Sequence, residues 1–213
     1  MGAGKKNKFE LQLPSLFQPR VLLQALRAVF SRPYTTKYPD EPYTPPPGFR
    51  GRVRFDATAC IGCGACVEVC PPKCIDLVDH TSSSPPKREL IQHADACIWC
   101  GQCERYCPTG EGIKLTSEFV EVGFEPKDFE ERVEKEMMLC EICGEVLAPV
   151  DQLRWLIRRL GPLAFANPTL MLTAGRDLSV VGEPVKTQGE SIQRADRLRI
   201  QCPRCRRATG LNA

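Results

Sequence analysis

Two stretches of this 213-residue chain hold most of the side chains that could do chemistry. The run Cys60-Ile-Gly-Cys63-Gly-Ala-Cys66-Val-Glu-Val-Cys70-Pro71 recurs 37 positions later as Cys97-Ile-Trp-Cys100-Gly-Gln-Cys103-Glu-Arg-Tyr-Cys107-Pro108. Each copy reads C-x2-C-x2-C-x3-C-P, a spacing suited to thiolates around a [4Fe–4S] cubane. Three cysteines, each separated from the next by two residues, wrap one loop around a cluster and reach three of its irons. The fourth, before proline, serves the other cluster where two are present. This assigns cluster one to Cys60, Cys63, Cys66 and Cys107, and cluster two to Cys97, Cys100, Cys103 and Cys70. The proline after each fourth cysteine predicts the start of a helix leading away. Gly62, Gly64 and Gly101 suit loops that turn tightly and point backbone N–H groups at sulfur. A disulfide framework or a pair of zinc sites would not need two full copies of this pattern.

Two further knuckles, Cys140-x2-Cys143 and Cys202-x2-Cys205, bring the metal-type cysteines to twelve of thirteen. Four thiolates in two C-x2-C pairs make a tetrahedral site suited to structural zinc, with a rubredoxin-like single iron as the chemical alternative. The 58 residues between Cys143 and Cys202 are more than an ordinary ribbon holds. Cys74 is left over and reads as a small buried hydrophobe in the helix expected after Cys70. His80 and His93 have no metal spacing.

Such short gaps between cysteines argue for metal in a reducing compartment and against disulfides. The net charge of +3 implies neither nucleic acid nor an acidic substrate. Charge is unevenly spread, with ten acids against three bases over 118–145 and six arginines against one aspartate over 194–207. Blocks of this kind are usually solvated faces. No nucleophile with a base, phosphate loop or dinucleotide fingerprint is visible, and all-cysteine ligation leaves no open position for substrate.

The elements that must position these residues are short. Residues 52–55 alternate and predict a strand into the first loop, with 75–78 as its return partner. Leu90-Ile91 and residues 113–116 repeat that arrangement around the second loop. There Thr109-Gly-Glu-Gly112 makes the link one residue longer than in the first copy. Ile61 and Ile98 are expected to shield their clusters, Trp99 to pack, and the Ser/Pro-rich stretch 80–87 to be a surface loop. The acidic stretch 126–136 predicts a helix with Phe129, Val133 and Met137 on one face, and 151–160 predicts another, stopped by Gly161-Pro162. Upstream, Lys5, Lys6 and Lys8 precede a stretch too interrupted by Glu10, Gln12, Pro14 and Pro19 for a signal peptide. Over 20–31, Arg20, Gln24, Arg27 and Ser31 recur opposite Leu22, Leu23, Leu26, Val29 and Phe30, giving an amphipathic helix that can cover the protein's own core and is too short to span a bilayer, which takes roughly 20 residues. Six prolines between 32 and 48 predict an extended strap, whose Tyr34, Tyr38 and Tyr43 either anchor it to a partner or lie against the domain itself.

The repeated stretch resembles the two-cluster ferredoxin module of complex I and of the group 4 membrane-bound [NiFe] hydrogenases. Its likeness to the iron–sulfur subunit of formate hydrogenlyase and hydrogenase-4 type complexes extends to Tyr38-Pro39, Phe49-Arg50-Gly51 and the two downstream knuckles. It covers most of residues 20–205. The fold expected is α+β, a bacterial two-[4Fe–4S] ferredoxin-like core with an N-terminal amphipathic helix and a C-terminal four-cysteine, zinc-ribbon-like extension. The segments are 1–50 for helix and docking strap, 51–117 for the ferredoxin domain, and 118–213 for the extension. The resemblance implies a non-catalytic subunit of an oxidoreductase that relays single electrons through two [4Fe–4S] clusters. Its implied partners are the hydrogenase large and small subunits, a membrane-arm subunit, and a donor dehydrogenase or ferredoxin, with no nucleic acid. Its implied place is peripheral, on the cytoplasmic face of the cell membrane, held through the 20–31 helix. A complex I-type subunit of a quinone-reducing complex and an independent soluble ferredoxin are the alternatives.

Overall fold

Val53 and Phe55 alternate with Arg54 in a three-residue strand, β1 (Val53–Phe55), whose partner comes from the far end of the repeat. That partner is β4 (Ile113–Leu115), antiparallel, with Val53 opposite Leu115 and Phe55 opposite Ile113. The computed structural model in which these strands are seen describes residues 19–32, 35–120, 122–182 and 194–211, the side chains of 194 and 195 excepted. Residues 1–18, with the three lysines, lie outside it, as do Tyr34 and part of the 144–201 insert.

The chain divides into two units, Met1–Pro45 and Pro46–Ala213. In the first, α1 (Pro19–Phe30) opens on proline at its first position, where the missing N–H costs nothing. None of its residues is buried. The described residues of the strap that follows form neither helix nor strand.

In the second unit the pairing corrects the sequence reading of residues 75–78. They belong to β2 (Ile75–His80), which pairs with β3 (Lys87–His93) and not with β1. The two copies are therefore interleaved: the strand before the first loop meets the strand after the second, and the remaining two form the inner hairpin. Their loop, 81–86, is the Ser/Pro stretch. The extra residue after Pro108 is absorbed in the turn at 108–112, and the β1–β4 register is regular. Gly51 continues this pair, its N–H donating to the Thr116 carbonyl at 2.9 Å. A Cβ there would stand 2.1 Å from the Glu118 carbonyl oxygen, so only glycine allows the approach.

No helix follows Cys70 or Cys107; both prolines open turns. The helical turns come earlier, as α2 (Ala65–Glu68) and α3 (Gln102–Arg105), inside the cysteine loops. The acidic stretch is also not the helix expected. After a 3-10 turn at Pro126–Phe129 the chain forms β5 (Glu130–Leu139), in which Val133, Lys135 and Met137 are buried in alternation. Period two wins because β3 offers a complementary edge: Val133 lies opposite Leu90, and Lys87 pairs with Glu134. With β6 (Val146–Pro149) this gives a four-stranded sheet in the order β2-β3-β5-β6. Residues 130–149 thus continue the sheet of the cysteine repeat.

The main core contains Val53, Cys60, Cys66, Cys74, Ile75, Leu90, Ile113 and Val133, with four more repeat cysteines packed against it. So many cysteines in so small a core mean that whatever the thiols bind is itself part of the packing. In the insert, α4 (Val150–Leu160) ends at Gly161, as the sequence predicts, and packs through Leu153 on Leu170 of α5 (Pro168–Asp177). The last element, α6 (Pro203–Leu211), starts inside the second knuckle. Leu90→Ala should destabilise the protein by about 2–5 kcal/mol. Phe124→Ala, at a fully exposed position, should stay within about 0.5 kcal/mol. Denaturant unfolding of both variants measures the contrast.

Candidate metal centres

The two cysteine loops share one backbone design. Gly64 and Gly101, 37 residues apart, cap α2 and α3 with φ of 76° and 75°. Gly62 and Trp99, equally spaced, also match, at 67° and 49°. There the backbone N–H groups approach Cys60 Sγ at 3.5 Å and Cys97 Sγ at 3.4 Å. A tryptophan with positive φ is strained, and it holds the conformation that its glycine counterpart adopts freely.

The surroundings of the loops differ. A Cβ on Gly62 would meet Lys135 and Pro149 at 3.0–3.1 Å, so β5 and β6 cover the first loop, and Ile61 is 7% exposed. In the second loop Ile98 is 59% and Trp99 40% exposed. Ile61 is buried as expected; Ile98 is exposed, and among the described residues no strand lies over it.

The thiols of the two runs mix. Cys70, Cys97, Cys100 and Cys103 line a single cavity, together with Cys74 and Gln92. On the other side Gly112 lies between the first loop and Cys107. A Cβ on it would stand 3.0 Å from Cys60 Cα and 3.3 Å from Cys107 Sγ. Burial is the main influence on the bare thiols, pushing Cys66 up to about 12, helped by nearby Cys60 and Cys63, and Cys103 up to about 11. Burial also raises Cys60, against the Gly62 N–H and the Lys135 ammonium. Cys107 is lowered in spite of burial, by the Thr109 hydroxyl, 3.3 Å from its sulfur, and by N–H groups of the turn. Buried, mutually repelling thiols do not ionise on their own; cations in place of their protons resolve the conflict. Residues of both runs in one thiol-lined cavity, with N–H donors at sulfur, fit an iron–sulfur cluster that takes its fourth ligand from the other run.

The second centre is tighter. The sulfurs of Cys140, Cys143, Cys202 and Cys205 all lie within 4.8 Å of one another, Cys143 and Cys202 at 3.6 Å. Tetrahedral Zn–S bonds of about 2.3 Å put sulfurs about 3.8 Å apart, so this set fits one ion and is too close for a cubane. Gly144 turns the first knuckle at φ 76°, its N–H donating to the Cys140 carbonyl. The Cys205 N–H reaches Cys202 Sγ at 3.4 Å. Burial opposes ionisation of Cys140, yet N–H groups around the knuckle bring it down to about 7.

Three residues that bear on these centres escaped the sequence reading. Lys135 is buried over the first loop, donating to the Ala57 carbonyl and, at 2.8 Å, to Asp151 at the start of α4. Glu141, between the first two knuckle cysteines, accepts from the Ile200 N–H at 2.9 Å and pairs with Arg176 of α5. It thereby ties both knuckles to the insert. Gln92 follows Leu90 on the inward side of β3. For Gln92 and Lys135 the available signal was a polar residue at an inward position of an alternating strand. Cys74 is buried as expected, but in the irregular link before β2 and not in a helix, its sulfur 3.4 Å from Cys70 Sγ. His80 and His93 pair with Glu89 and Asp76 on the sheet surface.

Residues 59–111 match the 4Fe-4S dicluster domain, and the chain carries such a domain. Among curated relatives, NADH-quinone oxidoreductase subunit I 1 of Geobacter sulfurreducens is 46% identical over 54 residues, 24% of this chain and 41% of that protein. The NAD(P)H-quinone oxidoreductase subunits I of Microcystis aeruginosa and Synechocystis sp. are 39% identical over 62 residues and 35% over 83. Those matches span 29% and 37% of this chain, and 32% and 42% of the relatives. The chain thus spans less than half the length of each of these relatives. A solved structure of the membrane-bound sulfane sulfur reductase, an archaeal respiratory membrane complex, is 27% identical with a TM-score of 0.37, covering 57% of this chain and 62% of that one.

Glu141→Ala should leave the four thiols in place but weaken metal binding several-fold, because it removes the tie that holds the segment entering the second knuckle against the first. Competition with a chromogenic chelator measures it, and an unchanged affinity would mean that Glu141 serves only the fold.

Proposed function

We propose that this protein is the two-cluster electron-transfer subunit of a membrane-bound respiratory complex, carrying electrons one at a time between a donor module and a catalytic core. The carrying observation is the cavity lined by Cys70 together with Cys97, Cys100 and Cys103. It supports cluster two on those four residues and cluster one on Cys60, Cys63, Cys66 and Cys107. The dicluster match and the subunit I relatives support the same chemistry. When bound, the clusters supply one-electron redox capacity. The chain's own residues hold them at fixed separation, exclude water from the first loop through Ile61 and the β5–β6 cover, and donate backbone N–H groups to sulfur.

Within that class we favour the subunit of a group 4 membrane-bound [NiFe] hydrogenase of formate hydrogenlyase or hydrogenase-4 type. The partners would be its large and small subunits, a membrane-arm subunit, and a donor dehydrogenase or ferredoxin, on the cytoplasmic face. The four-thiol centre, held as one structural zinc by Cys140, Cys143, Cys202 and Cys205, supports this choice. Matches of 54–83 residues are too short to hold both the dicluster domain and this centre. The relatives favour a second reading, a complex I-type subunit of a quinone-reducing complex. Among the described residues no helix is long and apolar enough to cross a membrane. Attachment would run through α1, whose Leu22, Leu26 and Phe30 form an apolar face for a membrane-arm subunit or the membrane surface.

The native complex, purified anaerobically, should contain this chain beside a [NiFe] large subunit. The isolated chain should hold about eight irons, eight acid-labile sulfides and one zinc. A quinone-reducing assembly without a [NiFe] subunit would select the second reading. A ninth iron without zinc, with rubredoxin-like absorption, would make the four-thiol centre a redox site.

A further inference from the structure

Gln92 is 1% exposed, and neither its amide nitrogen nor its amide oxygen has a hydrogen-bond partner in the protein. The other buried polar side chains among the described residues differ: Lys135, Thr173, Gln201 and Thr209 are each hydrogen-bonded. A buried amide without partners is expensive, and such a group calls for an explanation. An apolar residue would serve a purely structural role better at this position. The alternation of β3 turns Gln92 inward on the same side as Leu90, a core residue, and its backbone lies opposite Ile75.

What Gln92 faces supplies the explanation. It lines the cavity of Cys70, Cys97, Cys100 and Cys103. We propose that the Gln92 side-chain amide donates a hydrogen bond to sulfur in this second cluster site and raises the reduction potential of the centre held there. This rests on the ligand set proposed above. Sulfur in such a site is anionic and accepts hydrogen bonds, so the NH2 end turns toward it, and hydrogen bonds to sulfur are among the factors that set cluster potentials. Reduction brings in one electron from a one-electron donor protein, with no bond made or broken and no proton required. The added negative charge strengthens the N–H···S interaction, so Gln92 favours the reduced form. The backbone N–H of Cys74, 3.3 Å from Cys70 Sγ, acts in the same sense.

The test is a potentiometric EPR titration of the full chain with both clusters bound, native against Gln92→Leu and Gln92→Met. The equilibrium for reducing cluster two should shift about tenfold toward the oxidised form in both variants. For a one-electron couple that is about 59 mV more negative. Cluster one, ligated elsewhere, should keep its potential and serves as the internal reference. Both clusters present with an unchanged second potential overturns the inference and leaves the electron-transfer reading standing; iron and sulfide far below two clusters in the native protein overturns the reading itself. A second measurement needs no change at position 92. In reduced protein labelled with 15N at glutamine side-chain amides, with Gln102 replaced by alanine, pulsed EPR should show a nitrogen coupling at cluster two. Its absence overturns the inference whether or not the variants assemble.

Discussion

The pairing of β1 with β4 is the contact on which the rest of the arrangement depends. Three residues on each side bring the chain entering the first cysteine loop against the chain leaving the second. Gly112, one residue before β4, is thereby pressed between Cys60 and Cys107. The inner hairpin does the same for the other end, setting Cys74 and Gln92 beside Cys70 and the second loop. Neither run is sufficient alone. A C-x2-C-x2-C loop offers three thiols, and the interleaved copies set Cys70 beside the second loop, where we propose that it serves as the fourth ligand. Because these cysteines also make up much of the core, cluster binding and folding are two views of one equilibrium.

The 37-residue repeat predicts symmetry, and the C-terminal segment breaks it. β5 and β6 extend the sheet of the inner hairpin and lie against Gly62, with Lys135 closing over Ala57. Among the described residues the equivalent Trp99 has no such strand cover and is 40% exposed. One cluster site is therefore sealed by this chain while the other presents Ile98 and Trp99 to its surroundings. The four-thiol centre supports the sealing at a distance. It ties the end of β5 to the last helix, and Glu141 carries that tie on to α5.

The metal centres were more legible than the strands that hold them. Cysteine spacing states its chemistry directly, since only a few residue gaps let thiols converge on one ion or cluster. Strand pairing is different: β1 and β2 follow one another in sequence and look like partners, and nothing local says that β1 belongs with β4. The acidic stretch misled for a related reason. Val133 and Met137, four apart, suit both a helical face and an alternating strand, and the decision came from the β3 edge, far away in sequence. Glu141 was invisible, and Gln92 and Lys135 showed only as polar residues at inward strand positions, because their meaning lies in what they face. α4 and its stop at Gly161 were legible because the signals are contained within the helix itself.

If the two runs exchange their fourth ligand, Cys70→Ser should damage the cluster of the second loop and spare that of the first. Low-temperature EPR of the reduced variant should be compared with that of Cys100→Ser and Cys63→Ser, each altered within a single loop. If Cys70 serves the second cluster, Cys70→Ser reproduces the Cys100→Ser spectrum and leaves the signal lost in Cys63→Ser intact. If it reproduces the Cys63→Ser spectrum instead, Cys70 serves its own run, and the interleaved architecture does not have the role given to it here.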